Sequence, residues 1–107
     1  MRILIASILA VAAGASLPAH AAGDPAKGKE KATVCGACHG PDGNSPTPDF
    51  PRLAGQQEDY LVKALQDYKA GKRKNPIMAA QVESLSKTDI ADVAAWFSSQ
   101  DGLVVKR

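Results

Sequence analysis

Cysteine, histidine and methionine occur only twice each in the 107 residues, and aromatic side chains make up 5% of them. Met1 and His20 fall in an N-terminal stretch that reads as a removable leader. What remains after it is two Cys, one His and one Met. That scarcity excludes several chemistries. Structural zinc takes four ligands in a tetrahedral set, and the remainder offers three obvious ones. A peroxidase wants a distal acid–base group, and no second His is left to serve. Charge is equally sparing: 13 basic residues stand against 11 acidic ones, which lacks the basic footprint of a nucleic-acid binder. No period-two alternation marks a strand, and no internal repeat is present.

The leader occupies residues 1–21. Arg2 supplies its single positive charge, Ile3 to Leu17 form an apolar run broken only by small residues, and Ala19-His20-Ala21 gives a small-x-small cleavage pattern. The run falls short of the about 20 apolar residues that span a bilayer. No Cys lies near the cut to carry a lipid, and a lone Arg argues against the twin-arginine route. The mature chain is therefore expected to begin at Ala22 and to be exported to a bacterial periplasm, with no segment embedded in the membrane. Residues 22–107 make one domain, small enough to need a disulfide, metal or cofactor beside its core.

Along that domain, Asp24-Pro25 is an N-cap followed by proline at the first helical position, predicting a helix over 25–35. Gly28 is costly inside it and predicts close approach by another helix. Glycines and prolines from Gly40 to Gly55 impose a loop. Tyr60, Leu61, Ala64, Leu65 and Tyr68 recur at helical spacing, so 57–70 is an amphipathic helix closed by Gly71. A basic loop, Lys72 to Pro76, leads to Met78, which is expected in a loop before a short helix at 79–85. Ser86 to Asp89 is a capping box opening a last helix to about Gln100. The fold class is all-α, with about four helices. Tyr60, Tyr68, Trp96 and Phe97 read most simply as packing residues.

Cys35-Gly36-Ala37-Cys38-His39 has the C-x-x-C-H spacing of c-type haem attachment. Two thiols three residues apart can reach the two vinyl groups of one porphyrin, and the adjacent imidazole can turn onto the iron. A disulfide suits an oxidising compartment but leaves His39 unexplained. A thioredoxin-like pair expects a βαβ setting that is absent. Met78 taken alone is core filler. As the last remaining methionine, well beyond His39, it is instead assigned as the second axial ligand. A thioether is soft and favours ferrous iron. Arg52 is either a propionate contact or a solvated loop residue. Lys72, Arg73 and Lys74 are either a greeting for an acidic partner or simply solvated.

Gly23-Asp24 with Gly28, Cys35 to Asn44, Phe50 to Gln56, Tyr60-Leu61, Tyr68, Gly71, Asn75 to Met78 and Trp96-Phe97 together resemble the small class I c-type cytochromes, most closely the cytochrome c4 and c553 group. The resemblance implies the cytochrome c fold, packed round one covalently attached haem c, with first and last helices crossing near Gly28. It implies thioethers from Cys35 and Cys38, axial His39 and Met78, and a Pro51 carbonyl that accepts the free imidazole N–H of His39. The c4 proteins carry two such domains, so a role needing paired haems does not transfer. The expected activity is one-electron carriage, not enzymatic turnover. A respiratory or dehydrogenase donor and a terminal oxidase or reductase would be met by transient docking, after haem-maturation machinery has acted on a monomer. The alternatives are a ligand-binding or sensor protein with a labile sixth ligand, and a fixed subunit of a larger redox enzyme.

Overall fold

Asp24 opens the first helix: its Oδ1 accepts from the backbone N–H groups of Ala26 at 2.9 Å and Lys27 at 3.4 Å, with Pro25 next to it at the first helical position. The structure, a computed structural model, describes residues 23–102. The leader assigned to residues 1–21, with Met1 and His20, lies outside them. Helix α1 is Pro25–Lys31, a 3-10 turn follows at Ala32–Val34, and α2 is Gly36–His39. Then come α3 (Glu58–Lys69), α4 (Pro76–Val82) and α5 (Lys87–Ser98). The described residues are all-α, as the periodicities predict.

Two boundaries differ from the sequence expectation. The first helix does not run unbroken to Cys35. Thr33 and Val34 are β-branched and lose rotamer freedom in a helix, and Thr33 Oγ1 donates instead to the Glu30 carbonyl at 2.9 Å. The chain therefore tightens before the C-x-x-C-H segment. The second concerns Met78, which lies in helix α4 and not in a loop. Asn75 caps that helix with its Oδ1, accepting from Ile77 N–H at 3.0 Å and Met78 N–H at 3.2 Å. Pro76 follows at the first helical position, so Asn75-Pro76 repeats the signal of Asp24-Pro25.

The core lies where α3 and α5 meet the 3-10 turn that follows α1: Ala32, Leu61, Val93, Ala94 and Phe97 are buried together, with Leu53, Leu65 and Trp96 packed on them. The α1–α5 crossing is its closest approach. A Cβ at Gly28 would run into the Asp92 carbonyl and the Trp96 Cβ, and one at Gly23 into the Ala91 carbonyl. Backbones this near need residues without side chains.

Asp92 locks the crossing. It is a buried carboxylate, 3% exposed, whose Oδ2 accepts from Lys31 Nζ at 2.6 Å and whose Oδ1 accepts from Asp24 N–H at 2.8 Å. Both ends of α1 are thus held to one side chain on α5. Lys31 also reaches Asp89 Oδ1 at 2.7 Å, and Asp89 completes the predicted capping box with Ser86. A buried charge is tolerable only when paired and hydrogen-bonded, and here every oxygen of Asp92 has a partner.

The long loop between α2 and α3 is closed on itself and then onto the core. Gly43, at φ 84°, offers its carbonyl to the N–H groups of Leu53 at 2.8 Å and Ala54 at 3.1 Å. Gly55 N–H donates to Phe97 carbonyl on α5 at 3.0 Å, and Trp96 Nε1–H donates to the Pro41 carbonyl at 3.2 Å. The last helix therefore holds both ends of the loop that carries Pro51.

Two outcomes follow for stability. At Gly28 an overpacking cost of about 3 kcal/mol outweighs the roughly 1 kcal/mol that alanine gains in helix propensity. Gly28→Ala should therefore lose about 2 kcal/mol in guanidinium unfolding, and parental stability would mean that the crossing relaxes. Hydrogen bonds from Lys31 hold the Asp92 carboxyl below its ordinary value and take Asp89 from 3.8 to about 2. Depressed carboxylates bind fewer protons folded than unfolded, so their contribution is present above pH 4 or so and lost as pH falls toward 2. Lys31→Met should raise the midpoint of acid unfolding followed by circular dichroism. An unmoved midpoint would show that the lock contributes nothing.

Candidate functional site

Helix α2 is a single turn, with Cys35 as its N-cap: His39 N–H donates to the Cys35 carbonyl at 3.0 Å and Gly40 N–H to the Gly36 carbonyl at 3.1 Å. Positions i, i+3 and i+4 of a helical turn share a face. Cys35, Cys38 and His39 have that spacing, so the turn aligns two sulfurs and one imidazole. Neither cysteine is in a disulfide, and both are half-buried. Burial pushes the Cys35 thiol up from its ordinary 9.0.

His39 is 8% exposed and its orientation is set from two sides. Nδ1 lies 2.7 Å from the Pro51 carbonyl oxygen. A carbonyl can only accept, so Nδ1 is the donor, and in the neutral ring Nε2 is the nitrogen with a lone pair to offer. The Phe50 ring meets the imidazole edge-on, with centroids 6.3 Å apart and planes at 66°. Phe50, Pro51 and Arg52 also border a cleft of about 410 Å³ whose other wall is residues 45–48. Two thiols, an imidazole with one nitrogen available and a nearby aromatic wall form a donor set that fits a covalently attached porphyrin. It fits poorly with a structural zinc, which would want a fourth ligand.

The remaining residues singled out from the sequence are placed as follows. Met78 is half-buried in the first turn of α4, while its neighbour Ile77 is 65% exposed. Arg52 is exposed. Its charge adds to the hydrogen bonds from Asn44 that hold the Asp42 carboxyl below its ordinary value. Phe97 is buried at 2%, but Tyr60 is 50% exposed, so it is not a core residue. Sequence reasoning missed Phe50 and Asp92. Phe50 carried a signal, standing next to Pro51 in a segment poor in aromatics; Asp92 carried none, since an acidic residue on an amphipathic helix reads as solvated.

The family model for cytochrome c matches residues 25–101. Cytochrome c4 of Pseudomonas aeruginosa is 60% identical over 82 residues, which cover 77% of this chain and 41% of that protein. Cytochrome c-554(548) of Halomonas halodenitrificans is 43% identical over 83 residues, covering 75% of this chain and 100% of that protein. The crystal structure of reduced recombinant cytochrome c4 from Pseudomonas stutzeri superposes with a TM-score of 0.73 at 53% identity, covering 78% of this chain and 48% of that one. The chain thus spans about half the length of the cytochrome c4 relatives it matches.

The Nδ1 proton of His39 should give a separate nuclear magnetic resonance signal that exchanges slowly with solvent, because the donor is buried and its acceptor is 2.7 Å away. Rapid exchange would show that the Pro51 contact does not persist in solution.

Proposed function

The chain belongs to the cytochrome c family, and from that premise we propose that it is a monohaem one-electron carrier of the bacterial periplasm, residues 1–21 being removed on export and 22–107 forming the working domain. The observation that carries this is the α2 turn, which aligns Cys35, Cys38 and His39 and holds the imidazole by Nδ1 on Pro51. A covalently attached haem c supplies reversible one-electron chemistry at its iron.

The chain's own residues then take distinct tasks. Cys35 and Cys38 give the thioether bonds that keep the cofactor from being lost. His39 offers Nε2 as one axial ligand. By accepting the other ring proton, the Pro51 carbonyl fixes the tautomer and makes the imidazole a stronger donor. Met78 would offer its thioether as the second iron ligand, a soft donor that would favour the ferrous state and raise the reduction potential. Arg52, exposed beside the Phe50 cleft, suits a propionate by its planar fork.

With His39 and Met78 both kept as ligands in either redox state, little would have to reorganise on electron transfer, and substrates would be kept from the metal. The partners are a donor such as a quinol-oxidising complex or dehydrogenase, and a terminal oxidase or reductase, each met in a small, short-lived contact. Among the described residues no helix is long and apolar enough to cross a membrane.

The test is the absorption spectrum of the ferrous, haem-loaded protein before and after carbon monoxide. A low-spin c-type spectrum that ignores the gas is expected, with Met78→Ala converting it to a rapid carbonyl adduct. A parent protein that takes up the gas at once would replace the carrier with a ligand-binding protein.

A further inference from the structure

Lys72, Arg73 and Lys74 are all exposed in the loop between α3 and α4, but Arg73 is engaged within the molecule. Its guanidinium lies over the Tyr68 ring, 4.7 Å from the centroid, within the range where the ring's quadrupole attracts a cation. The neighbouring Tyr60 and Tyr68 side chains hold its pKa above the ordinary arginine value. Tyr60 and Tyr68 are about two turns apart on α3, so they share a face.

The loop's backbone is tied to the same helix. Gly71, at φ 74°, donates its N–H to the Tyr68 carbonyl at 3.3 Å. The N–H groups of Lys72 and Arg73 both donate to the Asp67 carbonyl, at 2.9 and 3.1 Å. Only Lys74 then separates Arg73 from Asn75, the cap of α4, whose Oδ1 accepts from the Met78 N–H itself. Helix α4 has seven residues, buries Val82 alone and packs chiefly on α3. So short a helix does not hold its own shape; its ends decide where it sits.

We propose that Arg73 is a positioning residue for Met78: stacked on Tyr68, it fixes the 71–75 loop to α3, hence the Asn75 cap and the first turn of α4 that presents the thioether. This rests on Met78 being the sixth ligand. Of the three loop cations, Arg73 is therefore the one whose side chain serves this protein's own structure.

The experiment uses the ferric, haem-loaded protein, in which a far-red sulfur-to-iron charge-transfer band reports the Met78 bond, and titrates it with imidazole as a competing ligand. Arg73→Ala should let imidazole displace Met78 about two- to fivefold more readily, the factor by which an exposed cation–π contact shifts an equilibrium. Amide exchange at Ile77 and Met78 should quicken with it. Arg73→Lys, which keeps a cation near the ring, should recover part of the difference. Lys74→Ala removes the same charge from the same loop and should match the parent. Equal behaviour of Arg73→Ala and the parent would overturn the proposal, as would an equal effect of Lys74→Ala, which would assign the change to charge alone. If the band is missing from the parent, the ligand assignment has failed and this inference with it. A band present and unmoved by Arg73→Ala, with unchanged amide exchange, refutes the positioning role while leaving the ligand assignment intact.

Discussion

The distance between α1 and α5 governs what the rest of the molecule can do. Gly28 and Gly23 let the two backbones meet almost directly, and Asp92 fastens both ends of α1 from one position on α5. The C-x-x-C-H turn follows α1 after only a 3-10 turn, so the placement of α1 is also the placement of Cys35, Cys38 and His39. From α5, the Phe97 carbonyl and Trp96 indole hold the two ends of the loop that brings Pro51 to His39. One crossing therefore sets both partners of the His39–Pro51 bond, although they come from segments with no regular structure in common.

That arrangement explains why so small a chain can fix an imidazole without a large core. The buried apolar set is mostly alanine and valine, with Leu61, Ile90 and Phe97 as its bulky members. Hydrophobic burial at about 25 cal/mol per Å² gives such a set limited stability, and small domains in general stand close to the margin. Directional contacts fill the gap at the points that matter: the buried carboxylate, the indole N–H and the loop carbonyl of Gly43. Each fastens a segment that contributes little bulk to the core.

Much of this was legible in the residues. The helical periods, the Asp24-Pro25 start, the Ser86–Asp89 capping box, the close approach at Gly28 and the C-x-x-C-H motif are local signals, and local signals survive in a single sequence. Asn75-Pro76 was equally local, yet it was overshadowed by the glycines, lysines and prolines around it, so the helix carrying Met78 was expected to start too late. The roles of Asp92 and Arg73 were not legible at all. An aspartate on an amphipathic helix becomes buried only because Asp24 and Lys31, more than sixty positions away, arrive opposite it. An arginine in a basic run becomes a structural residue only when a tyrosine ring five positions back lies beneath it.

The two sides of the candidate site are consequently built to different standards of rigidity. His39 sits in a turn continuous with the main helix crossing, buried, with its ring held by a hydrogen bond and an aromatic edge. Met78 sits in a short helix that leans on one neighbour and is tied mainly at its start. A ligand on a rigid support keeps its geometry whatever happens beyond it, while a ligand on a lightly tied helix answers to the contacts at that helix's root. Those contacts lie in the loop between α3 and α4, beside the exposed Ile77 and Tyr60, on the surface where another protein could touch them. On the proposed ligand set, the strength of a sulfur ligand at Met78 would thus be the feature of this site most exposed to its surroundings, and the imidazole the feature most insulated from them.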